Sequence, residues 1–355
     1  MKIRSSVKGY NLEIHQDFES IKSQVYDTHT FAIIDRRLYE IYRQELFQRM
    51  PAGKIYLMEA LEKNKTIETV LEICEEMTKL SAKRNIKLLA FGGGIVQDVA
   101  GFVANILYRG IYWAFFPSTL LAACDSCIGG KTSLNYKKFK NLLGTFYPPD
   151  EIHICVPFFQ TLSEKDYLSG LGEVAKFQLM AGRSGIDKLE KNIDVLLAKE
   201  AGILMEFIED SLELKKALVE ADEFDRGIRI HLNFAHTFGH AFETVSGYCI
   251  PHGTAVAMGM VVANRISLDR GWLEEELVNR VEEILRKLIH IALEDAWEGV
   301  EIDMDSLVQV IHKDKKQTGK ALTVVLMRDD METVGVYDVT RNEIERAITY
   351  LIQWL

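Results

Sequence analysis

The chain has 355 residues, of which 42 are Lys or Arg and 52 are Asp or Glu, so its formal charge is −10. That balance excludes the broad cationic face that a nucleic acid or an anionic membrane surface requires, and a hydrophobic content of 48% fits a globular chain long enough for two domains. The longest apolar stretch, Ile111 to Cys124, carries Pro117, Ser118 and Thr119 and is shorter than the roughly 20 residues of a membrane span. The first residues hold no apolar run of the secretory kind, and five cysteines in so long a chain point to free thiols in a reducing cytoplasm.

In chain order, Thr30 to Asp35 reads as a buried strand, and Leu38 to Phe47 as a helix. Ile67, Val70, Leu71, Cys74 and Met77 recur at helical steps and predict an amphipathic helix. Ile86 to Phe91 predicts a buried strand that stops on Gly92-Gly93-Gly94 and re-enters a helix near Asp98, the order of elements in a nucleotide-binding turn. Short strands follow at Trp113 to Phe116 and Glu151 to Val156. The expectation is an α/β domain with a largely parallel sheet over residues 1–160. From 161 to 355 the pattern turns mainly helical: a helix capped by Ser163, then Leu189 to Ala221, Asn233 to Gly247, Gly253 to Asp269 and Glu274 to Ile289. A hairpin is expected from Ala321 to Val339 across Asp329-Asp330, and a last helix from Arg341.

Chemistry concentrates in two regions. In the second, Arg229, Asn233, His236, His240 and Glu243 follow at intervals of four, three, four and three, which at about 100° per residue puts all five on one helical face. A solvated face is built of Lys and Glu. This one holds two His, an Asn and an Arg, with His252 a few residues on, and so points to a divalent metal with imidazole ligands. Glu173 of GLGEVAKF is the candidate carboxylate, with Lys176 one turn away, and the apolar residues around them argue against a routine surface pair. In the first region eight of the 24 glycines lie between Gly92 and Gly144. Gly129-Gly130-Lys131 and Lys140-Asn141 add a second glycine turn with cations, a local positive site suited to a small anion. Cys124 and Cys127 form a CxxC with no second pair, read as two packed thiols flanking Asp125.

The ordered blocks GGGIVQDVAGFVANILYRG, PSTLLAACDSCIGGKTSLN, KNLLGTFYPP, GLGEVAKF and RIHLNFAHTFGHAFE, with His252, closely resemble 3-dehydroquinate synthase of the sugar phosphate cyclase superfamily. The resemblance implies an NAD-binding α/β domain followed by a helical metal-binding domain, commonly in a homodimer. It assigns the metal, zinc or cobalt, to Glu173, His236 and His252, and leaves His240 for substrate. It assigns NAD to Asp35, Glu62, Lys65, Gly93, Gly94, Ile95, Asp98, Ser118, Thr119, Asp125, Lys131, Lys140 and Thr161. Lys131, Asn141, Lys176, Lys215, Arg229, Asn233, His240 and a lysine of the Lys315–Lys316 pair match catalytic and substrate contacts, and Arg109 matches an arginine lent to the neighbouring protomer. The implied reaction turns 3-deoxy-D-arabino-heptulosonate 7-phosphate into 3-dehydroquinate and phosphate. Gln97, Ala235, Cys127 and Tyr136 depart from the family's usual residues. The competing readings are a related cyclase acting on sedoheptulose 7-phosphate or glucose 6-phosphate, an NAD- and metal-dependent polyol dehydrogenase, and a non-catalytic NAD-binding regulator.

Overall fold

The computed structural model describes residues 1–80, 85–137, 139–293, 303–318, 323–328 and 331–355, with the backbone alone for 312–318. The chain divides into two units, Met1–Leu162 and Ser163–Leu355.

The first unit is built on a seven-stranded sheet. Its strands are β1 (Lys2–Ile3), β2 (Tyr10–His15), β3 (Thr30–Asp35), β4 (Ile55–Met58), β5 (Lys87–Gly92), β6 (Tyr112–Pro117) and β9 (Glu151–Cys155), in the order β1-β2-β9-β6-β5-β3-β4. All pairings but β1–β2 are parallel. Parallel strands covered on both faces read as unbroken apolar runs, and β3, β5 and β6 do so. Phe91 and Phe116 stack across β5 and β6 with ring centroids 4.2 Å apart. The unit's helices are α1 (Lys22–Val25), α2 (Arg36–Tyr42), α3 (Ile67–Thr78), α4 (Gly94–Ile106) and α5 (Pro157–Gln160). The helix expected through Phe47 ends its regular part at Tyr42, and Arg43–Phe47 widens into a π turn.

The hairpin of β7 (Lys131–Tyr136) and β8 (Phe139–Phe146) was not anticipated. Its strand sequences, KTSLNY and FKNLLGTF, do not alternate apolar with polar residues in the way that marks a half-buried strand.

The second unit carries α6 (Glu164–Met180), α7 (Arg183–Leu197), α8 (Ala201–Ala221), α9 (His236–Val245), α10 (His252–Asp269), α11 (Glu275–Leu293), α12 (Met304–Thr318) and α13 (Arg341–Trp354), with the hairpin β10 (Val324–Arg328) and β11 (Glu332–Val336). Asp329 and Asp330, expected at the tip of this hairpin, lie outside the described residues. Leu189 to Ala221, read as one helical stretch, is two helices. Lys199 turns the backbone left-handed at φ +58°, and the Glu200 side chain then caps α8 by accepting from Ile203 N at 2.7 Å. Among the described residues no helix is long and apolar enough to cross a membrane.

Candidate active site

In the first unit the chain leaves β3 toward β4 on one side and reaches β5 on the other, so the order of the sheet reverses between β3 and β5. Ligands of open α/β sheets bind outside the carboxyl ends of the strands at such a reversal. Asp35 ends β3 and caps α2 by accepting from Arg37 N at 2.9 Å. Gly93 caps α4. A Cβ on Gly93 would come within 2.9 Å of Thr119 Cγ2, and Ser118 N donates to Gly92 O at 2.9 Å, so Gly93, Ser118 and Thr119 adjoin one another. Gln97 bonds both to Ser126 O, at 2.7 Å, and to Ser126 Oγ, at 2.6 Å, tying α4 to the turn that bears Asp125.

A second polar cluster adjoins α4. Asp98 accepts from Ser133 N and Ser133 Oγ, each at 2.9 Å, and faces Lys65 Nζ at 2.5 Å. Burial raises the Asp98 pKa, against the pull of Lys65 and Ser133. Lys65 also donates to Asn141 Oδ1 at 2.7 Å, and Asn135 Nδ2 reaches Glu62 Oε1 at 2.8 Å. The structure therefore brings Glu62, Lys65, Asp98 and Asn141 together, with Ser133 and Asn135 as their connectors. The connectors carried no signal in the sequence because they sit on the unanticipated hairpin. Lys131 and Lys140 are exposed on the same hairpin. Thr161 is engaged elsewhere, with Tyr42 Oη at 2.9 Å and Phe158 O at 3.2 Å. Arg109 is exposed and left-handed at φ +66°, just past α4.

In the second unit the five-residue polar stripe is not one helix. Arg229 and Asn233 lie in a 3-10 segment, Ile228–Asn233, and α9 opens only at His236, because Ala235 is left-handed at φ +68°. A period count cannot detect such a break. His236, His240 and Glu243 do share α9, and His252 is the first residue of α10.

Three helices bring the ligand candidates together by unusually close backbone contact. A Cβ on Gly172 of α6 would stand 2.1 Å from Gly253 O, one on Gly253 would stand 1.7 Å from Ser169 O, and one on Gly259 would stand 2.3 Å from Ala235 O. Only hydrogen fits at these crossings. Ser169 Oγ also accepts from Gly253 N at 3.0 Å, serving the opening turn of α10.

The fully buried Glu173 results. His236 Nε2 and His252 Nε2 stand 3.4 and 3.3 Å from the same oxygen, Oε1, and Lys176 Nζ stands 2.6 Å from Oε2. Neither oxygen meets a donor in hydrogen-bonding geometry. The other ring nitrogens are held: His236 Nδ1 lies 3.0 Å from Phe234 O and His252 Nδ1 lies 3.0 Å from Glu243 Oε2. Outer partners of this kind fix the tautomer and orientation of metal-binding imidazoles. The ligand atoms of a tetrahedral zinc ion stand about 3.3 Å apart, so this donor set fits such a cation. Burial pushes the Glu173 pKa up, but Lys176 and His236 outweigh it and hold the carboxyl well below its ordinary range. Against desolvation, Glu173 and Glu243 lift His252 to about 10. Desolvation, followed by the His236 and His252 rings, brings His240 down to about 4. The role of Glu243 was readable in principle, as a carboxylate three residues past His240.

Among the described residues four Lys or Arg side chains are buried: Lys65, Lys176, Lys215 and Arg229. Arg229 donates to Glu223 O at 2.8 Å, and Lys176 reaches Leu232 O at 3.3 Å. Asn233 is exposed. Lys315 and Lys316 lie in the last turns of α12, within the part described by backbone alone.

A parallel-sheet unit with a glycine turn at its reversal point, joined in sequence to a helical unit with a carboxylate–dihistidine cluster, defines the dehydroquinate synthase-like fold shared by sugar phosphate cyclases. Its solved relatives include 2-epi-5-epi-valiolone synthase from Streptomyces hygroscopicus with NAD+ and Zn2+ bound, at TM-score 0.85 and 24% identity over 99% of both chains. Another is 2-deoxy-scyllo-inosose synthase complexed with carbaglucose-6-phosphate, NAD+ and Co2+, at TM-score 0.82 and 23% identity over 98% of both. Residues 55–169 match the family described as 3-dehydroquinate synthase N-terminal, and 170–317 match 3-dehydroquinate synthase C-terminal. The 3-dehydroquinate synthase of Dictyoglomus turgidum is 37% identical over 344 residues, 96% of this chain and 93% of that one. The chain belongs to the 3-dehydroquinate synthase family.

The crossing of α6 and α10 makes a direct prediction. Gly253→Ala must separate the two helices, and chemical denaturation should show a loss of about 3 kcal/mol of stability. A change under about 0.5 kcal/mol would contradict the close contact.

Proposed function

We propose that this chain is a 3-dehydroquinate synthase, converting 3-deoxy-D-arabino-heptulosonate 7-phosphate to 3-dehydroquinate and phosphate. The observation that carries the reading is the convergence of Glu173, His236 and His252 beside Lys176, in a chain 37% identical to a relative of that name. Metal ligation falls to those three residues. NAD falls to Asp35, Glu62, Lys65, Gly93, Gly94, Ile95, Asp98, Ser118, Thr119, Asp125, Lys131, Lys140 and Thr161. Bound NAD supplies a hydride acceptor that returns its hydride within the cycle, and bound zinc or cobalt lowers the cost of negative charge on substrate oxygens.

The chain's own residues account for the rest. A substrate bearing a phosphate and a carboxylate needs cations that are not neutralised by bulk water, and Lys176, Lys215 and Arg229 are buried in the metal-binding unit. The planar guanidinium of Arg229 suits a carboxylate, while the lysines act as point charges toward phosphate. Asn233 and His240 offer hydrogen bonds to substrate hydroxyls, and the family pattern assigns substrate contacts to Asn141 and Lys131 as well. Lys315 and Lys316 complete the set of cations. Arg109 serves the active site of a neighbouring protomer in a homodimer. The five free cysteines support a cytoplasmic setting.

A cyclase acting on sedoheptulose 7-phosphate or glucose 6-phosphate is the second reading, favoured by the fold match to the valiolone synthase. Its substrates lack a carboxylate and so leave a buried Arg229 without its anion. Purified protein with NAD and zinc or cobalt should release phosphate from the heptulosonate and not from the other two sugars. No release from the heptulosonate sinks the primary reading.

Two substitutions test the metal assignment. His252→Ala should abolish the metal held by Glu173 and His236 together with turnover, as read by loss of one metal ion in elemental analysis and by phosphate release. Glu243→Ala should raise the metal dissociation constant roughly 10- to 100-fold, with the far-ultraviolet circular dichroism unchanged.

A further inference from the structure

The first unit holds a second group of metal-ligating side chains, which the reading above does not use. β2 and β9 pair in parallel with Glu13 opposite His153 and His15 opposite Cys155. Residues two apart in a strand share a face, so Glu13, His15 and His153 lie on the same face of the sheet. His15 Nε2 and His153 Nδ1 stand 3.0 Å apart, and Glu13 Oε2 lies 3.8 Å from the first and 4.0 Å from the second.

The outer atoms of both rings are engaged. His153 Nε2 lies 3.0 Å from Glu151 Oε2, and a carboxylate only accepts, so that nitrogen carries the proton and a neutral His153 presents a lone pair at Nδ1. His15 Nδ1 lies 2.9 Å from Ser20 Oγ, which can accept its proton and leave a second lone pair at Nε2. The His153 ring is 2% exposed and stacks on Phe116 at 5.0 Å, which fixes its plane. Glu13, by contrast, is 64% exposed and reaches neither ring in a hydrogen bond, so its carboxylate is able to close on a cation and solvent is able to deliver one. Two imidazoles oriented through their far nitrogens, with one exposed carboxylate beside them, form a ligand set for a borderline divalent ion such as zinc.

We propose that Glu13, His15 and His153 bind a zinc ion that links β2 to β9, at a site distinct from the Glu173 cluster and independent of the catalytic reading. The competing state is a single proton shared between His15 and His153. The two differ in metal count.

The full chain, stripped with chelator and dialysed against buffered free zinc, should take up two zinc ions as counted by elemental analysis. His15→Gln should take up one, and His252→Ala should also take up one, each losing a different ion. Glu13→Gln, a near-isosteric change at an exposed position, should weaken one zinc by about tenfold or more and leave the other unchanged. Cobalt substituted into His252→Ala should still give visible absorption of a low-coordinate ion, and this should vanish in the double variant His15→Gln, His252→Ala. Equal zinc uptake by the parent, His15→Gln and Glu13→Gln would overturn the proposal. Undiminished uptake by His252→Ala would instead overturn the Glu173 assignment and leave this one standing.

Discussion

The metal-binding unit depends on how closely α10 can approach its neighbours. Packed helices usually keep their axes about 8–10 Å apart because side chains fill the interface. Here Ser169 and Gly172 of α6 meet Gly253, and Ala235 and Gly239 meet α10 near Gly259 and Val256, so backbone touches backbone. Glu173 follows Gly172, His252 precedes Gly253, and His236 follows Ala235. Each ligand is therefore the immediate chain neighbour of a contact that leaves no room for adjustment. Sites carried on rigid, packed elements hold their geometry better than sites on loops, and this crossing supplies that rigidity before any ligand arrives.

Buried charge gives the second constraint. The chain carries ten more acidic than basic residues, yet four cations are buried among the described residues, all of them residues that the sequence had marked for ligand chemistry. Lys65 is offset by Asp98 and Lys176 by Glu173, each inside a polar cluster. A buried ion pair of this sort contributes little net stability, since desolvation takes back most of the Coulomb gain. Their persistence therefore needs a reason other than stability, and under the proposed function that reason is ligand binding. Compare Glu282, the other buried carboxylate among the described residues. It is held by Arg265 and Tyr350 and ties α10, α11 and α13 together.

Much of this was readable from residue order. Strands β3, β5 and β6 announced themselves as apolar runs because a covered parallel sheet has no polar face, and the β5–glycine–α4 passage marked the nucleotide turn. Glu173, His236 and His252 were named from residue type and family pattern, and they converge. The β7–β8 hairpin was not readable, since its residues point to polar partners on Lys65, Glu62 and Asp98 whose positions only the fold supplies. Nor was β2, so His15 and His153 stayed unconnected across 138 residues of chain. The closest helix contacts escaped as well, because a glycine in a helix looks like a weak helix former until the neighbour it admits is known.

The break at Ala235 shows why periodicity misjudged the stripe while still finding its members. A left-handed alanine costs about 1–2 kcal/mol relative to an ordinary helical one, a cost that a glycine would not carry. The conformation persists because the close contact with Gly259 and the burial of the methyl group hold it in place. Had the helix run unbroken, Arg229 and Asn233 would have continued the line of His236 and His240. Ending the 3-10 segment at Asn233 and restarting at His236 frees Arg229 to anchor on Glu223 while His236 turns its Nε2 to Glu173. One sequence block thereby sends its side chains to two places, Arg229 to the Glu223 carbonyl before the break and His236 to Glu173 after it, and the left-handed residue between them is what separates the two.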